Sequence, residues 1–244
     1  MRFWGLTDPG NVRAQNQDYY LIERLGKTSM VAVVCDGMGG AKSGNVASKI
    51  AAEAFLSEVD RAIKPDMPVE KAESALREAV LIANAAVYEN AQLSEEMNGM
   101  GTTLVAALVL GKTGIIVNVG DSRAYLLNQS GVQCITTDHS FVEMMVQRGE
   151  LSREQAKSYP GKNLITRAVG TEETVQADVF RIPLQSGDNL LLCSDGLSNL
   201  LADQELLFEV VHGARKEDCC SRLLEIAKKR GAPDNVTSVL ISFS

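Results

Sequence analysis

The sequence has no apolar run long enough to cross a bilayer. Leu104 to Leu110 and Met30 to Cys35 are the longest, far short of the ~20 residues a spanning helix needs. No membrane span is therefore expected. Its first residues, Met1-Arg2-Phe3-Trp4-Gly5-Leu6-Thr7-Asp8, also lack the apolar h-region of a signal peptide. Histidine is scarce. His139 and His212 are the only two, which excludes a His-rich zinc site. Five cysteines, Cys35, Cys134, Cys193, Cys219 and Cys220, are odd in number and lack metal-type spacing. They read as reduced thiols of a cytoplasmic protein, with Cys35 and Cys193 as small buried hydrophobes inside apolar runs. Basic charge is not in excess. Lys and Arg total 24 against 31 Asp and Glu, a net charge of −7, so no nucleic-acid partner is expected.

What is present is ordinary for a globular protein: 244 residues, 45% hydrophobic and 23% charged. A chain of this length buries ~70–75% of its unfolded surface and needs no disulfide or metal merely to fold. No internal repeat, low-complexity tract or Pro/Ser-rich linker interrupts it, so residues 1–244 read as one domain. Strands are expected over Arg2–Thr7, Tyr19–Leu25 and Met30–Cys35. Helices are expected over Val46–Val59 and Val69–Gln92, where Ala72, Ala75, Leu76, Ala79, Val80, Ala83, Ala86 and Val87 form one stripe. Short β-type runs follow at Thr102–Leu110, Ile115–Val119, Arg123–Leu127 and Val132–Thr136. Ser140-x-x-Glu143 and Ser152-x-x-Gln155 are capping-box patterns that predict two short helices. Strands return at Val175–Ile182, Asn189–Cys193 and Val236–Phe243, with helices at Asp203–Val211 and Glu217–Arg230. Strands and helices come in blocks. That favours an α+β fold, two antiparallel sheets face to face with helices outside.

Aspartates recur where apolar strands end. Val33-Val34-Cys35 leads into Asp36-Gly37, Leu191-Leu192-Cys193 into Ser194-Asp195-Gly196, and Val117-Asn118-Val119-Gly120 into Asp121. Any one Asp-Gly is what a turn uses. Three at the rim of a core are costly unless a cation meets them. Asp18, after Asn16-Gln17, and Asp234, before Asn235, bring the set to five. Carboxylates without His or Cys suit Mg²⁺ or Mn²⁺ and disfavour zinc or copper. Neither an EF-hand loop nor a P-loop occurs in the chain.

Six segments then follow in a telling order. They are Arg13-Ala14-Gln15-Asn16-Gln17-Asp18, Asp36-Gly37-Met38-Gly39-Gly40, Met100-Gly101-Thr102-Thr103, Gly120-Asp121-Ser122-Arg123, Ser194-Asp195-Gly196 and Asp234-Asn235-Val236-Thr237. Together they resemble the motifs of the PPM family, the metal-dependent serine/threonine phosphatases also called protein phosphatase 2C. Met38 within the Asp-Gly block, and a chain without extension beyond the domain, resemble the bacterial branch. The resemblance implies a four-layer α-β-β-α sandwich with a small helical flap over about 138–170. By position, Asp36, Asp195 and Asp234 would hold a first Mn²⁺ or Mg²⁺. Asp36 and the Gly37 carbonyl would hold a second, with Asp18 acting through water. Asp121 with Asp195 matches a third, weaker position. A water between two core cations would attack phosphorus in line.

Arg13 matches the phosphate-binding arginine, although a solvated surface arginine is the bland alternative. Asn235 matches a supporting residue. His139, before the flap's first helix, is either a proton-transfer group or a residue that orders the start of the flap. Met144 and Met145 read as flap packing, and His212 as a solvated helix end.

The chain also departs from the family. Ala41 stands where many bacterial members have His, Met38 where eukaryotic members have His, and Asn45 where Glu is common. This touches proton donation to the leaving alkoxide rather than metal binding. A metal-bound water is one possible donor, since cations lower water's pKa. The expected function is hydrolysis of phosphoserine and phosphothreonine by a cytoplasmic monomer. Its partners would be phosphorylated proteins and a bacterial Ser/Thr protein kinase that it opposes. Two rivals stand beside it: a phosphatase dedicated to one partner, such as a phosphorylated anti-anti-sigma factor, and a non-catalytic binding module. The module would be expected to lose Asp36, Asp195 or Asp234, and none is lost.

Overall fold

The computed structural model describes residues 1–39, 43–64 and 66–243. Gly40 and Ala41, the second glycine of the Asp-Gly block and the site of the missing histidine, lie outside the described residues. Strands β1 (Arg2–Asp8), β2 (Asp18–Arg24) and β3 (Ser29–Met38) come first, then helices α1 (Gly44–Ala62) and α2 (Val69–Ala91). The chain returns to β4 (Gly101–Thr102), β5 (Leu104–Leu110), β6 (Thr113–Val119), β7 (Arg123–Asn128) and β8 (Gly131–Cys134). Short helices α3 (Phe141–Gln147) and α4 (Arg153–Lys157) precede β9 (Asp178–Pro183) and β10 (Asn189–Cys193). Helices α5 (Asp195–Ser198), α6 (Asp203–Leu207) and α7 (Cys219–Lys229) lead into β11 (Val236–Ser242).

The strands form two antiparallel sheets, ordered β1-β11-β10-β7-β8 and β2-β3-β5-β6-β9, with β4 beside β3. A strand that is apolar at every position needs cover on both faces. Alternation supplies it. Val31, Val33 and Cys35 of β3 pack beneath α1 and α2, whereas Met30, Ala32 and Val34 face the opposite sheet. In β10, Leu190 and Leu192 face inward, and Leu191 and Cys193 meet Leu206 and Leu223 of the C-terminal helices. Three apolar layers thus separate helices, sheet, sheet and helices, the α+β architecture expected from the sequence. All five cysteines are free thiols, and only Cys134 is exposed.

Several boundaries differ from the sequence reading, each for a tertiary reason. Thr103 breaks the strand expected from Thr102 to Leu110. Gly37↔Thr102 and Val34↔Val105 keep one register across the break. Asp36-Gly37 is not a turn but lies within β3. Val175 and Ala177 pack into the core without pairing, so β9 begins only at Asp178. The helix expected over Asp203–Val211 becomes α6 followed by a π-type turn, Phe208–His212, and α7 begins two residues late. In α2 the apolar stripe omits the buried Ala91 and one buried polar residue, Asn84. Its Nδ2 donates to the carbonyls of Glu172 and Glu173, and its Oδ1 accepts from the Gly170 N–H at 2.7 Å.

Phe55 of α1 is fully buried between helix and sheet. Phe55→Ala should cost about 3–5 kcal/mol. A fall in the urea midpoint with an unchanged slope would show that the layer, and not the unfolded state, was altered.

Candidate active site

Antiparallel pairing gathers the aspartates. Asp18 opens β2 and Asp36 nears the end of β3, so the two stand opposite each other in the ladder. Cys193 ends β10 opposite Ser238 of β11, which brings the residues just beyond, Asp195 and Asp234, to the same rim. Ser194 joins the sheets. Its hydroxyl donates to Asp18 Oδ2 at 2.7 Å and accepts from the Thr237 N–H at 3.0 Å. Two glycines allow the close approach. A Cβ on Gly37 would lie 2.0 Å from the Gly44 carbonyl oxygen, and one on Gly196 would lie 1.9 Å from that of Asn235.

Asp36 is held by its backbone. Its N–H donates to Thr103 Oγ1 at 2.9 Å, and its carbonyl accepts from the Thr103 N–H and the Thr102 hydroxyl. Thr103 Oγ1 also pairs with Ser122 Oγ at 2.7 Å, which fastens β3 to the turn carrying Asp121. Asn235 does the same for the loop that carries Arg13. Its Nδ2 donates to the carbonyls of Pro9 and Gln15, and its Oδ1 accepts from the Gln17 N–H. Arg13 forms a two-pronged pair with Asp234, Nε to Oδ1 at 2.9 Å and Nη2 to Oδ2 at 2.8 Å.

Crowded carboxylates away from water hold their protons. Burial pushes Asp18 up to about 6 and Asp121 up to about 7, and in both the neighbouring Asp195 charge adds to the rise. Asp36 is pushed well above the usual carboxylate range by burial, then by Asp18, Asp195, Asp121 and Asp234. Burial and Asp234 raise Asp195 also. Arg13, at the rim, is stabilised in its charged form by the hydrogen bond and charge of Asp234.

The residues around 138–170 are fastened beside this cluster. Thr102 and Val169 exchange backbone hydrogen bonds at 3.0 and 2.9 Å. His139 is buried and its ring is fully engaged. Nδ1 accepts from the Gly120 N–H at 3.0 Å, and Nε2 lies 3.0 Å from Arg167 Nη1 and 3.2 Å from Asp178 Oδ2. Burial lowers its pKa, partly opposed by the hydrogen bond to Asp178. Arg123 pairs through two nitrogens with Asp138, and Arg167 through Nη1 alone with Asp178. Between helix α3 and the Ser198–Glu205 segment opens a cleft of about 750 Å³, with Asp121 and Asp195 at its edge and Lys162 in its wall. Ser194 and Thr103 lay inside segments quoted from the sequence, but nothing in the residue pattern marked them as the ties. Asp178 and Arg167 carried no sequence signal at all.

The donor set fits hard divalent cations. Five carboxylates gather without an imidazole or ionised thiol, and Asp18 Oδ1 is buried with no hydrogen-bond partner. Among the described residues no three acidic, imidazole or thiol groups stand ready as a metal cage. Asp234 is turned to Arg13, and Asp18 Oδ2 to Ser194. Asn235→Ala would remove three hydrogen bonds from the 9–17 loop, at a cost of about 1–3 kcal/mol for each group left buried and unpaired. Faster amide exchange at residues 10–17, with β11 still protected, is the expected result.

Residues 11–237 match the family model of protein phosphatase 2C. Serine/threonine phosphatase stp of Listeria monocytogenes is 36% identical over 236 residues, covering 96% of this chain and 93% of the relative. Protein phosphatase PhpP of Streptococcus pneumoniae is 34% identical over 242 residues, covering 98% and 96%. The crystal structure of serine/threonine phosphatase Stp1 from Staphylococcus aureus superposes with a TM-score of 0.93 at 38% identity, covering 99% of this chain and 94% of that one. The resemblance carried by the six sequence motifs holds across nearly the whole chain, and among the described residues no helix is long and apolar enough to cross a membrane. The chain belongs to the protein phosphatase 2C family of metal-dependent enzymes and is a serine/threonine protein phosphatase.

Proposed function

We propose that this phosphatase uses Mn²⁺ or Mg²⁺ held among Asp18, Asp36, Gly37, Asp121, Asp195 and Asp234, and that it opposes a Ser/Thr protein kinase by hydrolysing that kinase's products. The observation that carries this reading is the meeting of five carboxylates from both sheets, four of them with raised proton affinity. Asp36 and Asp195, at the centre, would be shared between cations. Asp234 would complete a first position, the Gly37 carbonyl and, through water, Asp18 a second, and Asp121 with Asp195 a third. When bound, the cations supply positive charge for the phosphoryl oxygens and acidify the attacking water.

The remaining roles belong to the chain's own groups. Arg13 offers its guanidinium to two phosphoryl oxygens. Asn235 and Ser194 position the loops that carry Arg13 and Asp18. We read His139 as a positioning residue. Both ring nitrogens are used within the protein, and the Gly120 contact places it behind the turn that carries Asp121. Residues 138–170 then act as a flap on a single domain over 1–244, a reading supported by β1 pairing with β11 from Arg2↔Ser242 to Asp8↔Val236. Free thiols suit a cytoplasmic location.

Asp36→Asn or Asp195→Asn should lower phosphopeptide turnover more than about a hundredfold, beyond the 10–100-fold typical of residues that merely orient a ligand. Because each change removes an ionisable group from a crowded, desolvated cluster, Tm should hold or rise. A variant that lost activity and stability together would instead mark a structural residue.

The raised carboxylates also set a pH dependence. Asp18 and Asp121 titrate at about 6 and about 7 in the folded chain, above the ~3.9 of an unfolded aspartate. Across that window the folded state binds more protons, so stability is greatest below it and is lost as pH rises through it. Mg²⁺ at ~100-fold over its Kd should raise Tm by about 5–10 °C at pH 8, where it replaces departed protons. At pH 5 it should raise Tm far less. Equal shifts at the two pH values would separate the cation site from these carboxylates.

A further inference from the structure

Arg13 and a divalent cation compete for one partner. Asp234 Oδ1 accepts from Arg13 Nε and from the Asn235 N–H, both at 2.9 Å, and Oδ2 accepts from Arg13 Nη2 at 2.8 Å. A carboxylate offers about four lone-pair positions. Three are taken, and the fourth lies beside a full positive charge. As the groups stand, Asp234 has no place for a cation that Arg13 does not contest.

The backbone under Arg13 is fixed while its side chain is exposed and, among the described residues, tied only to Asp234. The Asn11 N–H donates to the Ala232 carbonyl at 2.9 Å, and Asn235 ties the loop at Pro9, Gln15 and Gln17. The Arg13 side chain is 55% exposed and that of Asp234 38%. The guanidinium can therefore swing off Asp234 without moving the loop.

We propose that Arg13 is an internal competitor at the metal centre: it holds Asp234 until a divalent cation displaces it, and that displacement frees the same guanidinium for the phosphoryl group. The inference rests on reading Asp234 as a metal ligand and Arg13 as the phosphate clamp. Asp234 then has a cation beside it at every stage, and the phosphate clamp is assembled only once the metal is in place. Exposed ion pairs are weak, so the competition is expected to be worth about two- to fivefold in affinity. It orders the two binding events without blocking either.

The test is calorimetric titration of Mn²⁺ into the full chain, wild type, Arg13→Ala and Arg13→Lys. Lysine keeps the charge but cannot present a fork to both oxygens. Both variants should bind Mn²⁺ about two- to fivefold more tightly in one step, with the other steps unchanged. If Arg13→Ala tightens binding and Arg13→Lys matches wild type, loss of a like charge explains the effect and the proposal fails. It also fails if neither variant differs from wild type. No Mn²⁺ binding by any of the three would instead overturn the metal reading itself, and the proposal with it. A second readout keeps the wild-type side chain. The Arg13 Nε–H resonance, assigned by its loss in Arg13→Lys, should shift as Mg²⁺ saturates the protein. A resonance unmoved at saturation would overturn the proposal.

Discussion

Repulsion among carboxylates held at the end of a dry sandwich is the constraint on which the rest of the structure depends. Asp18, Asp36, Asp121 and Asp195 are desolvated together, and each has its proton affinity raised further by the charge of at least one neighbouring aspartate. Left to themselves such groups would move apart into water. They stay because what holds them is mostly not carboxylate chemistry. The Asp36 backbone is bonded through Thr102 and Thr103, Ser194 spans from Asp18 to Thr237, and glycines at 37 and 196 let neighbouring backbones approach closely. Those ties lie on strands whose two faces are both covered by apolar layers. The rigidity of the sandwich is therefore what allows an unfavourable cluster to persist.

The same constraint organises the rim. Cations near the cluster are each given a partner: Arg13 has Asp234, Arg123 has Asp138 and Arg167 has Asp178. Two of these pairs, Arg123–Asp138 and Arg167–Asp178, sit where the 138–170 segment meets the body. His139 belongs to this layer too. Its ring bonds the Gly120 N–H on one side and faces Asp178 on the other, so it links the turn before Asp121 to β9. A histidine so placed fits the positioning role proposed for it.

The sequence carried a great deal of this, in the places where local pattern and tertiary need coincide. Continuous apolar runs such as Met30–Cys35 announced strands covered on both faces, and the stripe in Val69–Gln92 announced α2 almost to the residue. The serine-based helix starts at 140 and 152 were legible because capping is local. The Ser152 box closes in both directions, whereas Ser140 only accepts from the Glu143 N–H. Thr103 falls inside the strand expected over Thr102–Leu110, since its break is made by hydrogen bonds to Asp36, 67 positions away. Likewise Val175 and Ala177 pack into the layer between helices and sheet, but they lie outside the β9 ladder, which begins at Asp178.

By itself the sequence determined the chemistry available: five aspartates at strand ends, no histidine-rich set, and an order of motifs that resembles one phosphatase family. Hydropathy and residue type are properties of the chain, so they are readable before it folds. Only the tertiary structure decided which groups meet. Register set Asp18 opposite Asp36, sheet-on-sheet packing carried Ser194 to Asp18, and the 9–17 loop delivered Arg13 to Asp234 across 221 positions of sequence. Contacts at such separation depend on distance in space, to which spacing along the chain is blind.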